Sequence, residues 1–267
     1  MTERGPERSD ANATYVFAVC WNPDPSAVAG LPGVTDDAPV STLPLEALTA
    51  IVQTVRARDF TDEAWQARLS DQRELERYAR AHHDVVSAAA ACCPTVPLPM
   101  ATLYQSEERA RDALTNEADR FHAALKRIAY HAEWGVKVYV QPCPPDDSNH
   151  RATPSVPSRP APGAGLAYLD RKRGAQERRE RRRDQALQVA EAVDTEVRSI
   201  ATASRRLRLH SPQPSGEGGM QVLNATYLVA EHRVDELTLL TQALRERTGA
   251  QVELSGPWVP YSFVGEV

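Results

Sequence analysis

Glu133-Trp134-Gly135-Val136-Lys137-Val138-Tyr139-Val140 divides this chain of 267 residues into two halves. Valines and aromatics dominate the stretch, and such side chains pack best on a pleated strand. Ahead of it, short apolar runs read as strands interleaved with two helical stretches. With it as the first strand, a strand–helix–strand–helix–strand series is legible. Strands that precede the first helix and recur after the last give an α+β protein of two domains.

Working upstream, residues 1–13 read as a disordered polar leader and residues 14–132 as an N-terminal α+β domain. Thr14–Cys20 is rich in β-formers and predicts a strand. Pro39–Leu43 suggests a short edge strand, and Ala50–Val55 a firm one. Thr61 is a natural N-cap, with Asp62 and Glu63 where the helix dipole favours acids. From there to Ala91 the pattern is helical, with Leu75, Tyr78, Ala79, His82, Val85, Val86 and Ala89 on one face. Pro94 ends it, and Thr95–Leu98 predicts a short strand. Ser106 caps a further helix whose buried stripe runs Leu114, Ala118, Phe121, Leu125, Ile128.

Downstream, residues 133–254 form the second domain. Residues 141–163 carry seven prolines and predict an extended, exposed loop. A long charged helix is expected over 165–209, roughly 60 to 70 Å at ~1.5 Å per residue. Its Asp170–Asp184 section has eight basic and four acidic residues. The later section carries a packing stripe of Ala190, Val193, Val197, Ile200, Ser204 and Leu207. Ser211–Gly219 reads as a flexible turn, Met220–Val229 as a strand, Val234–Arg247 as an amphipathic helix stopped at Gly249, and Gln251–Leu254 as a strand. This series is close to a ferredoxin-like split βαβ unit that needs one more strand, expected near Arg206–Leu209. Residues 255–267 form an extended aromatic tail. A chain end holding Trp258, Tyr261 and Phe263 needs a dock, expected on its own C-terminal domain beside Trp134.

The formal charge of −5 argues against bulk attraction to nucleic acid or anionic membrane. No apolar run approaches the roughly 20 residues that span a bilayer. The N-terminus lacks a signal-peptide pattern, so a cytoplasmic protein is expected. Cys20, Cys92, Cys93 and Cys143 show no C-x-x-C spacing, and the adjacent pair suits reduced, packed thiols better than a metal site.

Catalytic motifs do not assemble. No P-loop, G-x-S-x-G, G-x-G-x-x-G or H-E-x-x-H occurs. Gly163-Ala164-Gly165 follows no strand and reads as a linker-to-helix turn. His82 lies on an apolar stripe and reads as a packed core histidine. His122, His131 and Glu133 form a loose group at a helix end. Asp36-Asp37 and Asp146-Asp147 lie in loops without an apolar pocket to separate their pKa values. The expectation is no enzyme, no cofactor and no metal. The alternative reading is a nucleic-acid-binding protein that uses the Arg-rich helix on a ferredoxin-like scaffold. Against it, Tyr227 stands alone in its strand, and Glu177 and Glu180 predict ion pairs along a solvated helix.

Several segments together carry a resemblance: GPW-x-PYSF at Gly256–Phe263, EWGVKVY at Glu133–Tyr139 and NATYLV at Asn224–Val229. YVFAV at Tyr15–Val19, LPGV at Leu31–Val34, D-x-x-x-L-E-x-x-A-R-x-H at Asp71–His82, VPL at Val96–Leu98 and AYL at Ala167–Leu169 support it. In this order they resemble the gas vesicle protein GvpL/GvpF family over nearly the whole chain. Where the family pattern reads arginine, an aromatic and glycine, this chain has Pro99-Met100-Ala101. The resemblance implies a non-enzymatic accessory or minor component needed for gas vesicle assembly. Its implied partners are the hydrophobic shell protein GvpA and other accessory proteins, with no nucleic acid and no membrane. Trp134, Lys137, Trp258, Tyr261 and Phe263 are the candidate structural or partner-contact residues.

Overall fold

The computed structural model describes residues 11–141, 164–209 and 219–265, with the backbone alone over 164–171. The proline-rich loop, the turn expected over 211–219 and most of the leader lie outside the described residues. The chain is mixed helix and sheet, in two compact units. One comprises residues 1–133 with 257–267, the other residues 134–256.

The first unit is built on a five-stranded sheet. Its strands are β1 (Asn12–Cys20), β2 (Val40–Leu45), β3 (Leu48–Arg56), β4 (Thr95–Pro97) and β5 (Leu103–Tyr104), in the order β2-β3-β1-β4 with β5 also on β1. β1 begins two residues before the expected start, so the leader is shorter than 1–13. All these pairings are antiparallel. A bulge between Val16 and Ala18 resets the alternation of β1. Tyr15, Phe17, Ala18 and Cys20 therefore join one core with Tyr78, Val85, Val86 and Ala89 of α3 (Gln72–Ala90). Val16 and Val19 join a second core with α4 (Glu107–Asn116) and α5 (Ala118–Ile128). With helices over both faces, β1 is buried nearly throughout, which explains its continuous apolar run.

Two helices expected to be continuous are broken. After the short α1 (Pro25–Val28), the Thr61–Ala91 stretch splits into α2 (Asp62–Ser70) and α3. Asp71 leaves the helical region at φ −102°, ψ 104°, and its carboxylate accepts the N–H groups of Arg73 and Glu74. An aspartate offers the backbone a cap that competes with continued helix. The later stretch breaks at Glu117, which separates α4 from α5.

One buried polar residue fastens the loop before β2. Gln53 of β3 is fully buried. Its Oε1 accepts the Val34 N–H at 2.9 Å, and its Nε2 donates to the carbonyls of Thr35 and Ala38 at 2.7 and 2.6 Å. A Cβ on Gly33 would sit about 2.2 Å from that amide. The Leu31–Val34 segment therefore needs its glycine to let the backbone close on Gln53.

The second unit holds a four-stranded antiparallel sheet of β6 (His131–Val140), β7 (Ala203–Arg206), β8 (Met220–Ala230) and β9 (Gln251–Trp258). The strand order is β7-β8-β6-β9. Its helices are α6 (Ala164–Ile200) and α7 (Val234–Thr248). The long helix ends at Ile200 rather than 209, so Ser204 and Leu207 leave its stripe and the additional strand is Ala203–Arg206. At 37 residues, α6 is roughly 55 Å long. Ala190, Val193, Val197 and Ile200 are buried as the stripe predicts. Gly249 closes α7 in the left-handed region at φ 66°.

Asp194 of α6, 1% exposed, joins that helix to the sheet. It accepts from Tyr227 Oη of β8 at 2.6 Å and from Arg206 Nε of β7 at 2.9 Å. Burial and the neighbouring carboxylate push the Tyr227 hydroxyl far above its usual range, so it remains a donor. Across β6 and β9, a Cβ on Gly135 would meet Ser255 Oγ at 2.6 Å, so a larger residue in EWG would have to turn that hydroxyl away.

Candidate functional site

The C-terminal segment packs into the first unit, not the second as the sequence suggests. β9 runs through Gly256 and Pro257 to Trp258, longer than the expected Gln251–Leu254. A proline is tolerated there because β9 is the edge of its sheet. Beyond it, Tyr261–Phe263 form a 3₁₀ turn, with Tyr261 N–H donating to Val259 O at 2.8 Å.

The anchor of this turn is Glu133, 6% exposed. Its Oε2 accepts the Ser262 N–H at 2.9 Å and its Oε1 accepts the Ser262 hydroxyl at 2.6 Å. Hydrogen bonds to a carboxylate are roughly twice as strong as neutral ones. Two apolar residues complete the attachment. Val259 joins the core that holds Tyr15, Phe17, Tyr78 and Val85, and Phe263 is only 2% exposed.

With Val259 and Phe263 pointing inward, two rings are left on the surface. Trp258 is 50% exposed and Tyr261 38%. His83 of α3 stands beside both, its ring centroid 6.1 Å from Trp258 and 6.2 Å from Tyr261. Its Nε2 lies 3.2 Å from Ser87 Oγ, which orients the imidazole. The neighbouring His82 faces the other way, into the core, where its Nδ1 meets Tyr15 Oη at 2.7 Å. Burial holds His82 down to about 4, so the imidazole is neutral in this contact. Tyr15 Oη in turn accepts the N–H of Ala101 at 3.2 Å.

The five residues singled out in the sequence separate into different settings. Trp258 and Tyr261 share one exposed patch. Phe263 is a buried anchor. Trp134 is 8% exposed, with no hydrogen-bond partner for its Nε1 among the described residues. Lys137 lines a groove in the second unit with Arg245, Gln251 and Glu253. Sequence reasoning missed His83 in the patch and Glu133 as its anchor, because residues 129 positions apart share no spacing pattern.

Other candidates disperse. His122 accepts from Trp21 Nε1 at 3.2 Å, His131 Nδ1 lies 2.7 Å from Ala129 O, and Glu133 is committed to Ser262. Among the described residues, no group of three or more His, Cys, Asp or Glu is placed to hold a metal ion. Cys92, expected to be packed, is exposed. Tyr227 is buried against Asp194, so its ring is closed to base stacking. A second apolar surface, around Leu187, Leu207 and Leu209, lines a groove between α6 and the β7–β8 edge of the second unit. No helix among the described residues is long and apolar enough to cross a membrane.

Comparison with known proteins places this architecture. The family model of gas vesicle synthesis protein GvpL/GvpF matches residues 13–265. The chain belongs to the GvpL/GvpF family. It is 35% identical over 251 residues to gas vesicle protein L of Streptomyces sp., covering 94% of this chain and 92% of that one. It is 24% identical over 279 residues to gas vesicle protein L1 of Halobacterium salinarum, covering 100% and 95% of the two chains. In fold it resembles the crystal structure of GvpF from Anabaena sp. PCC7120, with a TM-score of 0.65 at 14% identity, covering 96% and 97% of the two chains. The GvpF structure from Microcystis aeruginosa gives 0.62 at 13% identity, covering 94% and 98%. The GvpL/GvpF segments recognised in the sequence occupy structural posts: LPGV closes on Gln53, NATYLV supplies Tyr227 to Asp194, and PYSF supplies Ser262 to Glu133.

Proposed function

We propose that this chain is a non-enzymatic accessory or minor structural protein of gas vesicle assembly. In this reading it binds the hydrophobic shell protein GvpA through the Trp258–His83–Tyr261 patch and keeps it competent to assemble. The observation that carries it is the division of the tail: Glu133, Val259 and Phe263 hold it fast, so two large rings stay in water on a pre-ordered backbone. Rigid, partly exposed aromatics are the usual anchors of protein interfaces. A shell protein that polymerises through apolar β-surfaces needs such surfaces covered before assembly.

The two-domain description belongs to the same proposal. The order β6-α6-β7-β8-α7-β9 with strands β7-β8-β6-β9 supports a ferredoxin-like second domain. The Arg-rich section of α6 is a solvated face, as in the Arg181–Glu177 pair at 3.4 Å.

Capture of GvpA by the purified full chain tests the proposal. Trp258→Ala and Tyr261→Ala should each weaken capture by about tenfold, the loss of an interface ring worth ~1–2 kcal/mol. Capture that is indifferent to both substitutions, or lost only with Leu187→Ser in the second unit, would move the interface off the tail.

A further inference from the structure

We propose that Cys20 and Cys93 are an oxidisable dithiol, a modification site for peroxide-class oxidants that closes to an intramolecular disulfide. Cys20 ends β1, opposite Thr95 of β4. Cys93 lies two residues before Thr95, in the turn after α3. Thr95 Oγ1 stands between the sulfurs, 3.4 Å from Cys20 Sγ and 3.7 Å from Cys93 Sγ.

The two thiols are not equivalent. Cys20 is fully buried and Cys93 half-buried, so solvent reaches only the second. Cys93 is lowered, first by the hydrogen bond from the Cys20 thiol and further by Thr95. Cys20 is raised by that same bond and by burial, so it keeps its proton. An ordinary thiol is only a few per cent ionised at neutral pH, and the downward shift raises that fraction at Cys93. The nucleophile is therefore accessible, and a protonated partner waits behind it. Such a pairing of an attacking and a resolving thiol is the arrangement of redox-responsive cysteines. Cys93 sits outside regular structure, so its side chain can turn to meet the ~2.05 Å sulfur–sulfur bond.

The chemistry balances. The Cys93 thiolate attacks one peroxide oxygen, the O–O bond breaks, and hydroxide leaves and takes a proton as water. Cys93 is then a sulfenic acid. The Cys20 sulfur attacks it, the S–O bond breaks, and the Cys20 proton departs with the hydroxyl as a second water. The sulfur pair has lost two electrons and the peroxide has gained them. No step needs Cys92, although Cys92 is the more exposed thiol.

One equivalent of hydrogen peroxide on the full-length protein at neutral pH, followed by alkylation and non-reducing peptide mapping, tests the assignment. The expected product links the Cys20 and Cys93 peptides, two hydrogens lighter than their sum, with Cys92 and Cys143 alkylated. Cys93→Ser abolishes the link and Cys92→Ser preserves it. On the unmodified protein, iodoacetamide should label Cys93 several-fold faster than Cys92, a measurement that needs no variant. A Cys92–Cys93 or intermolecular Cys92 disulfide as the main product overturns the proposal. So does Cys93 that stops at sulfinic acid, or faster labelling of Cys92.

Discussion

Ala101 holds φ at 62°, a backbone region that costs an L-residue roughly 1–2 kcal/mol and costs glycine nothing. It is the third residue of a turn in which Thr102 N–H donates to Pro99 O at 3.3 Å, and a turn with positive φ at that position normally takes glycine. Ala101→Gly should therefore raise stability, by up to about 1 kcal/mol once the added freedom of the unfolded glycine is subtracted. A higher urea midpoint at unchanged slope is the expected result. His82 gives a second expectation at this scale. Its folded value of about 4 lies below the ordinary 6.5, so on acidification the unfolded chain takes up the proton first. Its contribution, ~3 kcal/mol at most, is intact above pH 6.5 and is lost as pH falls from 6.5 toward 4. His82→Gln keeps a hydrogen-bonding group for Tyr15 but cannot titrate, so urea midpoints between pH 6.5 and 4 should fall less steeply than in the parent.

Among the elements, α2 and α3 show where a sequence is legible and where it is not. The apolar stripe from Tyr78 to Ala89 was readable because 3.6-residue periodicity reports a buried face directly. The break at Asp71 was not, since one polar residue on an exposed face looks the same inside a helix as between two. The sign of a mutation separates the two cases. In a continuous helix, Asp71→Ala would gain about 0.5 kcal/mol from propensity. As the cap of Arg73 and Glu74, its removal should cost about 1 kcal/mol. A lowered urea midpoint for Asp71→Ala is the expected outcome. Similarly, the strand–helix series is one strand short, which predicts β7 near its place, and the offset arises because Ala203–Arg206 has no apolar alternation of its own. Its register comes from pairing with β8, as in Ala203 opposite Leu228. The candidate site was half legible. The rings of the tail announce themselves by composition, while Glu133 and His83 become partners only through tertiary packing.

At the scale of the whole molecule, the anchoring of the tail and the contact proposed for it fall on different residues, divided by burial. Phe263, 2% exposed, is part of the first unit's interior, whereas Trp258, 50% exposed, leaves half of its surface in solvent. Truncating a buried phenylalanine costs about 3–5 kcal/mol. Phe263→Ala should therefore lower the urea midpoint of the full chain strongly. GvpA capture by that variant should fall only in proportion to the fraction unfolded. Trp258→Ala, which removes a half-buried ring, should cost about 1–2 kcal/mol, well below Phe263→Ala, while capture drops about tenfold. Glu133→Gln lies between the two. It keeps an acceptor for Ser262 but removes the charge from two short hydrogen bonds, a loss of roughly 1–2 kcal/mol, with the patch displaced along with its anchor. If Trp258→Ala and Phe263→Ala instead changed capture and stability in the same ratio, the exposed ring would be acting through the fold alone. The tail would then be a closure of the first unit and not a contact surface.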